Sequence, residues 1–327
     1  MRAIVMDQFG GPERLRLGEV AAPSPKPNQV LIDVVATSVN RPDIIQREGR
    51  YPPPPGESEV LGLDAAGTIA AIGADVDGWN VGDRVMALVG GGAYAERVAA
   101  YASHLMPIPS TLSFDAAAAI PETFITAYQN IFLNGRLRDG EPVLIHGGTG
   151  GVGTAAIQIC RVLAPASKIL ATASPGKIAR VAALGAIAVD YETEDFVERV
   201  RDETDGKGVG VVLDHIGGRY FDRNLAALAI GGRLVVIATL GGREASLDLA
   251  RLMVKRQAII GSVLRSRSVD EKGEIIARFS EAVLPELASG AIAPIIDRIW
   301  PLERAADAHR CLESREHVGK IVLRVKI

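Results

Sequence analysis

One glycine-rich stretch in the middle of the chain has the residue types and spacing to do chemistry. Residues 143–146 form a short apolar run, and Gly148, Gly150 and Gly153 then follow as G-x-G-x-x-G. Helix-forming residues continue from 154 to 163. In the order strand, glycine turn, helix, backbone N–H groups and a helix N-terminus can bind a pyrophosphate. The residues predicted to bind a dinucleotide here are Gly148, Thr149, Gly150, Gly151, Val152 and Gly153.

The segment after the next predicted strand discriminates between the two nicotinamide dinucleotides. A carboxylate about 20 residues beyond the glycines would hold the ribose 2′-hydroxyl of NAD. The sequence has Ala171-Thr-Ala-Ser-Pro-Gly-Lys177 instead, and no acid occurs between Gly148 and Asp190. The hydroxyl of Ser174 and the charge of Lys177 suit a 2′-phosphate, so we predict NADPH. The alternative is that Lys177 only begins a solvated helix face.

Patterns that ligate metals or support nucleophilic catalysis do not occur in the sequence. The five histidines include no i, i+4 pair and no H-E-x-x-H, and no nucleophile elbow is found. Cys160 and Cys311 are far apart, so neither a disulfide framework nor a thiolate zinc site is expected. We interpret His146, at the end of the strand before the glycine turn, as a partly buried structural residue bonded to backbone.

Composition excludes several classes of protein. The 327 residues are 48% apolar and 23% charged, with a net charge of −3 and no basic block. The negative net charge and the lack of a basic block argue against nucleic acid or an anionic membrane as the main partner. The start of the chain lacks the apolar core of a signal peptide, and no run of 18 apolar residues occurs. We therefore expect a cytoplasmic protein without a membrane partner.

Two domains are needed to position these residues. Short strands separated by Gly and Pro turns dominate the first third, which a four-proline loop at residues 52–55 interrupts. Strands alternate with helices from residue 143 to 238, which indicates an α/β fold with a doubly wound parallel sheet. The tail from residue 295 has too little apolar surface for a core of its own. We expect a β-rich catalytic domain from residues 1–123 and 289–327, and a Rossmann domain from residues 124–288.

Eight short motifs, in this order, resemble the zinc-independent quinone oxidoreductases of the medium-chain dehydrogenase/reductase superfamily. The similarity is to the zeta-crystallin-like branch, and within it to the p53-inducible type, over essentially the whole chain. The motifs are Asn40-Arg-Pro-Asp43, Gln46-Arg-Glu-Gly-Arg-Tyr-Pro-Pro-Pro-Pro-Gly56, Leu61-Gly-Leu-Asp-Ala-Ala-Gly67, Gly82-Asp-Arg-Val85, Ala118-Ala-Ile-Pro-Glu122, residues 144–158, Leu264-Arg-Ser-Arg267 and Gly319-Lys-Ile-Val322. The resemblance implies a GroES-like fold for the β-rich domain and a cleft where the two domains meet.

The resemblance also implies roles for individual residues. Asn40, Tyr51 and Thr126 would line the cleft as catalytic residues, although Tyr51 can also be read as a loop aromatic that packs on the prolines. For His215, after Asp214 at the end of a predicted strand, a contact with the cofactor and a structural role both stay open. The other implied cofactor contacts are Tyr191 near the adenosine, Ile237, Ala238, Thr239 and Leu240, then Val263, Leu264 and Arg265 near the nicotinamide, and Lys320.

One departure from the alcohol dehydrogenases of the superfamily bears on the reaction. Those enzymes carry a zinc-ligating His in a G-H-E triplet, whereas this sequence has Gly62-Leu63-Asp64, and the four-cysteine zinc loop is absent. Leu63 has no lone pair for a metal, so alcohol oxidation, which needs a Lewis acid, is not expected. Quinones are already electron-poor. Orientation and a hydrogen bond to the carbonyl oxygen can then supply most of the rate.

Three functions therefore remain. The first is an NADPH-dependent quinone reductase, and the second is a reductase of enones or enoyl thioesters on the same fold. The third is a non-enzymatic nucleotide-binding structural or RNA-binding protein, against which the net charge of −3 weighs. Residues 258–261 form an apolar candidate edge strand, which predicts a homodimer that pairs sheet edges.

Overall fold

The computed structural model describes residues 1–326 of the chain, which form two compact units. The first unit comprises Met1–Ile125 and Arg265–Ile327, and the second Thr126–Leu264. Residues 265–288, which the sequence pattern predicts to lie in the nucleotide-binding domain, belong to the first unit. The C-terminal segment returns to this unit because its last strand pairs with an early strand of the chain.

The elements follow the chain in order. The strands are β1 (Arg2–Val5), β2 (Arg16–Glu19), β3 (Gln29–Val39), β4 (Asp64–Ile72), β5 (Arg84–Leu88), β6 (Arg97–Tyr101), β7 (Leu105–Pro107), β8 (Val143–Ile145), β9 (Ile169–Ala173), β10 (Ile187–Asp190), β11 (Val209–Asp214), β12 (Leu228–Val236), β13 (Ala258–Gly261), β14 (Ile296–Pro301) and β15 (Lys320–Arg324). The helices are α1 (Arg41–Arg47), α2 (Phe114–Ala118), α3 (Pro121–Tyr128), α4 (Gly151–Leu163), α5 (Ile178–Ala183), α6 (Phe196–Glu203), α7 (Phe221–Ala227), α8 (Leu249–Lys255), α9 (Val269–Ser289) and α10 (Ala305–Glu313).

The first unit is built on a seven-stranded sheet around β3. The sheet runs β14-β15-β3-β4-β5-β7, and β6 also pairs with β3. β15 is antiparallel to β3, with Ile321 opposite Val39. Because β3 ends at Val39 and β15 begins at Lys320, this register brings Lys320 beside Asn40 at the start of α1. Apolar side chains at alternate positions of these strands form a core, in which Ile32, Val34 and Leu323 are buried.

The second unit is an entirely parallel, six-stranded sheet in the order β10-β9-β8-β11-β12-β13. Numbered within the unit, this order is 3-2-1-4-5-6, the arrangement of a doubly wound dinucleotide-binding sheet. The strand order reverses between β8 and β11, and ligands bind at such a switch point beyond the carboxyl ends of the strands. The predicted fold class is thus confirmed.

Local differences from the prediction have local causes. The sequence predicts one helix over residues 122–133, whereas the structure has α3 and then a π-helical turn, Gln129–Asn134. The three-residue strand β7 is too short for a periodic pattern and was missed. The long α9 begins at a capping box in which the Ser268 hydroxyl accepts from the Glu271 N–H, and it packs near His104, whose Nε2 lies 3.0 Å from the Val269 carbonyl. That contact lies within the first unit, to which α9 belongs.

Within the described residues, no helix is both long and apolar enough to cross a membrane.

Candidate functional site

The three fingerprint glycines each have a separate steric reason in the structure. A side chain at Gly148 would meet Ala171 Cβ at 2.8 Å, and one at Gly153 would meet the Gly147 carbonyl oxygen at 2.2 Å. Gly148 therefore permits the turn to lie against β9, and Gly153 lets the start of α4 pack closely on the turn. A side chain at Gly150 would meet only the Gly147 oxygen, at 3.5 Å. The space over Gly150 is open, as the approach of a pyrophosphate to the backbone requires.

The N-terminus of α4 is available to an anion. Gly150 is its N-cap residue and makes no side-chain cap, and no acidic residue lies in the first turn. The N–H groups of Gly151, Val152 and Gly153 at this end are the amides that a helix leaves without an internal partner. Their positive end suits a diphosphate. Thr149 is buried in the turn that leads to them.

Ser174, Lys177 and Tyr191 come together at one sheet edge. Ser174 directly follows β9, and the Lys177 N–H donates to the Ser174 carbonyl at 2.9 Å. The Tyr191 N–H, after β10, donates to the carbonyl of Ala173 at 3.3 Å. An acid, Asp190, is also near this edge: it ends β10 and lies opposite Ala173 at the end of β9. Its Oδ1 accepts from the Glu192 N–H at 3.0 Å and so holds the following turn.

His215 lies against the glycine turn, because a side chain on Gly147 would meet its Cε1 at 2.3 Å. The loop from Ile237 to Leu240 lies beside it: the Leu240 N–H donates to the His215 carbonyl at 3.1 Å. Asp214 fixes this bend by accepting from the N–H groups of Ile216 at 2.7 Å and Gly217 at 3.0 Å. Ala238 and Thr239 lie in the same loop, so the structure brings these predicted cofactor residues together.

His146 has a structural role, but it is fully rather than partly buried and its partners differ from the predicted ones. Its Nε2 lies 2.7 Å from Asn224 Oδ1 and its Nδ1 lies 3.2 Å from Thr172 Oγ1, so side chains rather than backbone satisfy it. Burial lowers the pKa of this imidazole to about 3. The ring is therefore neutral at physiological pH, and with both nitrogens occupied it has no capacity for a ligand.

A buried polar cluster, formed by Ser38, Asn40, Asp64 and Lys320, lies in the first unit. Asp64 Oδ2 accepts from Ser38 Oγ at 2.5 Å, Asn40 Nδ2 at 2.7 Å and Lys320 Nζ at 3.3 Å. Lys320 Nζ also donates to Asn40 Oδ1 at 2.5 Å and to the Val39 carbonyl at 3.3 Å. Both polar atoms of the Asn40 side chain are thus engaged, and the ammonium of Lys320 provides the positive charge.

Two more acids adjoin this cluster. Asp43 accepts from the N–H groups of Asn40 at 2.8 Å and Gly62 at 3.1 Å; burial, and next the nearby Asp64, raise its pKa to about 6. Glu122 is the second residue of α3, and its N–H donates to Asp64 Oδ1 at 2.6 Å. Burial, then repulsion by Asp64, raise the pKa of the Glu122 carboxyl to about 8. Sequence reasoning missed both acids, although each lies in a quoted motif.

A hydrogen-bonded chain supports Asp43 from behind. Arg47 Nη1 lies 3.2 Å from His309 Nδ1, His309 Nε2 lies 3.1 Å from the Tyr94 hydroxyl, and that hydroxyl lies 3.4 Å from Asp43 Oδ2. Arg47 also donates to Glu313 at 2.5 Å. Burial, then the Arg47 charge, lower the pKa of His309 to about 3. A neutral ring accepts from Arg47 and donates to Tyr94, so the chain directs donors towards Asp43.

Tyr51 and Arg265, which are not members of the buried polar cluster, contact each other in the first unit. The guanidinium lies 5.2 Å from the centre of the Tyr51 ring, and its Nη1 donates to the Tyr51 carbonyl at 3.4 Å. The Arg265 side chain also donates to the Gly90 carbonyl at 2.6 Å and to Gln46 Oε1 at 2.7 Å. Arg265 therefore ties the tyrosine loop to the end of β5 and to α1.

Three other predicted site residues, Val263, Leu264 and Thr126, have surroundings that do not by themselves indicate a role in binding. Val263 and Leu264 follow β13 in the second unit, with Val263 half-exposed and Leu264 buried. Thr126 is half-buried on α3, and its carbonyl accepts from Asn130 Nδ2 at 2.8 Å. Leu63 is buried, and the described residues contain no group of three or more His, Cys, Asp or Glu that could hold a metal ion.

Two families of known proteins match the chain. Residues 26–110 match the alcohol dehydrogenase GroES-like domain, and residues 184–323 match the zinc-binding dehydrogenases. A quinone oxidoreductase of Lama guanicoe is 36% identical, over 100% of this chain and 98% of its own. The synaptic vesicle membrane protein VAT-1 homolog of Rattus norvegicus is 31% identical, over 99% of this chain and 84% of its own.

Solved structures show the same architecture along the whole chain. Escherichia coli quinone oxidoreductase complexed with NADPH superposes with a TM-score of 0.88 and 29% identity, over 99% of this chain and 100% of that one. An NAD-dependent alcohol dehydrogenase gives 0.87 and 34%, over 99% and 100%. The CurK enoyl reductase gives 0.86 and 29%, over 99% and 98%. This chain therefore belongs to the medium-chain dehydrogenase/reductase superfamily of oxidoreductases, and within it to the group that contains the quinone oxidoreductases.

Proposed function

We propose that the chain is an NADPH-dependent quinone reductase that works without zinc. The family relationship makes it an oxidoreductase, and the relatives named quinone oxidoreductase support the choice of acceptor. The cofactor follows from this chain's own residues together with the neighbour that was solved with NADPH.

The second unit supplies groups that fit each part of NADPH. The amides of Gly151, Val152 and Gly153 would bind the pyrophosphate, and the open space above Gly150 lets it approach. Ser174 and Lys177 would hold the 2′-phosphate. Tyr191, His215 and the loop 237–240 would contact the remainder, as would Val263 and Leu264. Bound there, NADPH supplies the hydride for the reduction.

The observation that carries the choice of acceptor is the buried polar cluster around Asn40. Its positive charge is the Lys320 ammonium, and the position where alcohol dehydrogenases of the superfamily carry a zinc-ligating His holds Leu63. A buried ammonium cannot bind an alkoxide as a Lewis acid does, so an alcohol would not be activated here. Quinones need no such activation. Tyr51 would orient the quinone ring, because its own ring is held by Arg265.

A substrate panel tests the proposal. We expect NADPH oxidation with ortho- and para-quinones, no reaction of primary alcohols with NADP⁺, and well under one zinc ion per chain by elemental analysis. Addition of a chelator should leave the rate unchanged. Alcohol oxidation that tracks stoichiometric zinc would contradict both the acceptor and the metal independence.

A second candidate is a reductase of enones or enoyl thioesters, which the likeness to the CurK enoyl reductase favours. The ratio of kcat/KM between a quinone and an enoyl thioester separates the two candidates. If the thioester is preferred, the second function replaces the first.

A further inference from the structure

Glu122 differs from the two carboxylates near it in having a buried oxygen without a hydrogen-bond partner. Its Oε2 is inaccessible to solvent and unpaired. Asp64 in contrast accepts four hydrogen bonds, including one from the Glu122 N–H. Asp43 accepts from two backbone N–H groups and from the Tyr94 hydroxyl. Each accepted hydrogen bond stabilises the ionised form of a carboxyl, and Glu122 Oε2 accepts none.

The surroundings of Glu122 favour its neutral form. Two carboxylates lie beside it, and like charges in a poorly solvated place cannot all ionise at low cost. The cations that act on the Glu122 carboxyl are Lys320, Arg265 and Lys272. Each already donates elsewhere: Lys320 to Asp64 and Asn40, Arg265 to Gln46 and Gly90, and Lys272 to the Arg265 carbonyl. These contacts agree with the raised pKa of Glu122, about 8, for which burial is the main cause and Asp64 the second.

The other donors of the cluster are already committed. The Asn40 amide and the Ser38 hydroxyl donate to Asp64, and the three recorded hydrogen bonds of Lys320 go to Val39, Asn40 and Asp64. When Glu122 is protonated, its carboxyl O–H is therefore a donor that has no acceptor within the cluster. Glu122 as a whole is half-buried, and its carboxyl is close enough to Tyr51 to help raise the pKa of that phenol, after the larger effect of burial.

We propose that Glu122 is a further catalytic residue, whose carboxyl holds a proton in the resting protein and transfers it to the oxygen of the reduced acceptor. The inference rests on the proposed quinone reductase function. When a hydride has been added, the acceptor oxygen carries the extra electron pair. The O–H bond of Glu122 then breaks, and a new O–H bond forms on that oxygen. Because Glu122 as a whole is only half-buried, a proton from solvent can restore its carboxyl, so each turnover consumes one hydride and one proton. Tyr51 orients the acceptor in this scheme.

The first test needs neither cofactor nor acceptor. Infrared difference spectra across an acid-to-base titration should show a protonated carboxyl that ionises near the raised pKa of about 8. The signal should be absent from Glu122→Gln and present in Glu303→Gln, which removes an exposed carboxyl of the same unit. A wild-type titration without this signal, or its survival in Glu122→Gln, would overturn the proposal.

The second test is the pH profile of quinone reduction. Wild-type kcat should fall as the pH rises through the pKa of Glu122, whereas Glu122→Gln should be slower by about 10²-fold or more and lack this decline. Glu122→Asp, which retains a titrating carboxyl, should keep part of the rate and of the decline, and it guards against a Gln variant that fails to fold. Wild-type rate and profile in Glu122→Gln would refute the catalytic role while the quinone reductase function stands.

The two proposals fail in different ways. A wild-type protein that reduces no quinone refutes the proposed function, and with it proton transfer to a quinone. The infrared titration then still decides whether Glu122 holds a proton.

Discussion

Lys320 Nζ donates to Asn40 Oδ1 at 2.5 Å, although 280 residues separate the two along the chain. The resemblance suggested Lys320 as a cofactor contact and Asn40 as a catalytic residue. In the structure both side chains belong to one buried cluster with Asp64, in which Lys320 is 3% exposed. The contact therefore explains how the last strand fixes the start of α1, and it leads to the first prediction.

Replacing Lys320 by Met should leave the buried Asp64 carboxylate without its cation. Breaking a buried ion pair from one side costs about 3–5 kcal/mol, so the free energy of unfolding should fall by that amount. Denaturant titration measures it, with Lys326→Met, at an exposed lysine, as the control. If Lys320 contacts only this cluster, the Kd for NADPH should stay unchanged. A large loss of NADPH affinity in a stably folded variant would support the cofactor role instead.

Lys177→Ala should separate the two nicotinamide cofactors. A charge-assisted hydrogen bond to phosphate contributes about 1.5–3 kcal/mol, so the Kd for NADPH should rise by roughly 10–100-fold. NADH lacks the 2′-phosphate and should bind nearly as before. Lys207→Ala removes an exposed lysine elsewhere in the same unit and should affect neither cofactor. Equal losses for NADPH and NADH in Lys177→Ala would mean that Lys177 does not contact the 2′-phosphate.

Tyr51 is predicted to position the acceptor rather than to supply its proton. Tyr51→Phe keeps the ring above Arg265 and should retain much of the quinone reductase rate. Tyr51→Ala removes the ring and should lower kcat/KM for the quinone more than it lowers kcat. Steady-state kinetics with an ortho-quinone and NADPH compare the two variants. A Phe variant as inactive as the Ala variant, with normal NADPH binding, would instead identify the phenol as an essential acid, at a cost of about 10²–10⁴-fold.

The edge of the parallel sheet predicts a homodimer. β13 ends the sheet order, with Ile259 partly exposed on it, and Met253 and Val254 on the preceding helix are 72% and 74% exposed. An apolar strand at an edge favours pairing with a second copy. Light scattering at micromolar concentration should give about twice the chain mass of 34.5 kDa. Ile259→Lys should shift the mass towards the monomer, and Val81→Lys, an exposed site in the other unit, should not. A wild-type monomer at this concentration would rule the dimer out.

His146 should make the protein less stable in acid. Its folded pKa is lowered by burial to about 3, from an ordinary value of 6.5. Between these values the unfolded chain binds a proton that the folded protein does not, so stability falls as the pH drops from 6.5 towards 3. One such proton changes the free energy of unfolding by up to about 1.4 kcal/mol per pH unit. Denaturant unfolding at several pH values between 3 and 6.5 gives the slope of the free energy of unfolding against pH. In His146→Gln this slope should be smaller than in the wild type by the contribution of about one proton. An equal slope in the two proteins would contradict the lowered pKa.

Signals that arise within a few neighbouring residues were readable from the sequence. The strand, glycine turn and helix around Gly150 were predicted with their order, because backbone geometry there depends on residues adjacent in the chain. The alternation of strands and helices in the second unit likewise followed from local periodicity. The position of Ser113 just before a helical stretch at residues 114–120 also predicts an N-cap, and its side chain accepts from the Ala116 N–H at 3.2 Å at the start of α2.

Only the tertiary structure decided which distant polar groups meet. The pairing of β15 with β3 brings Lys320 to Asn40, and the turn before α9 brings Arg265 to Tyr51. The same folding places the start of α3 at Asp64, where Glu122 is left with an unpaired oxygen. Distances between side chains that are far apart in the chain depend on strand register and burial, so no local sequence pattern predicts them. Burial and neighbouring charge, in turn, determine which acid keeps its proton.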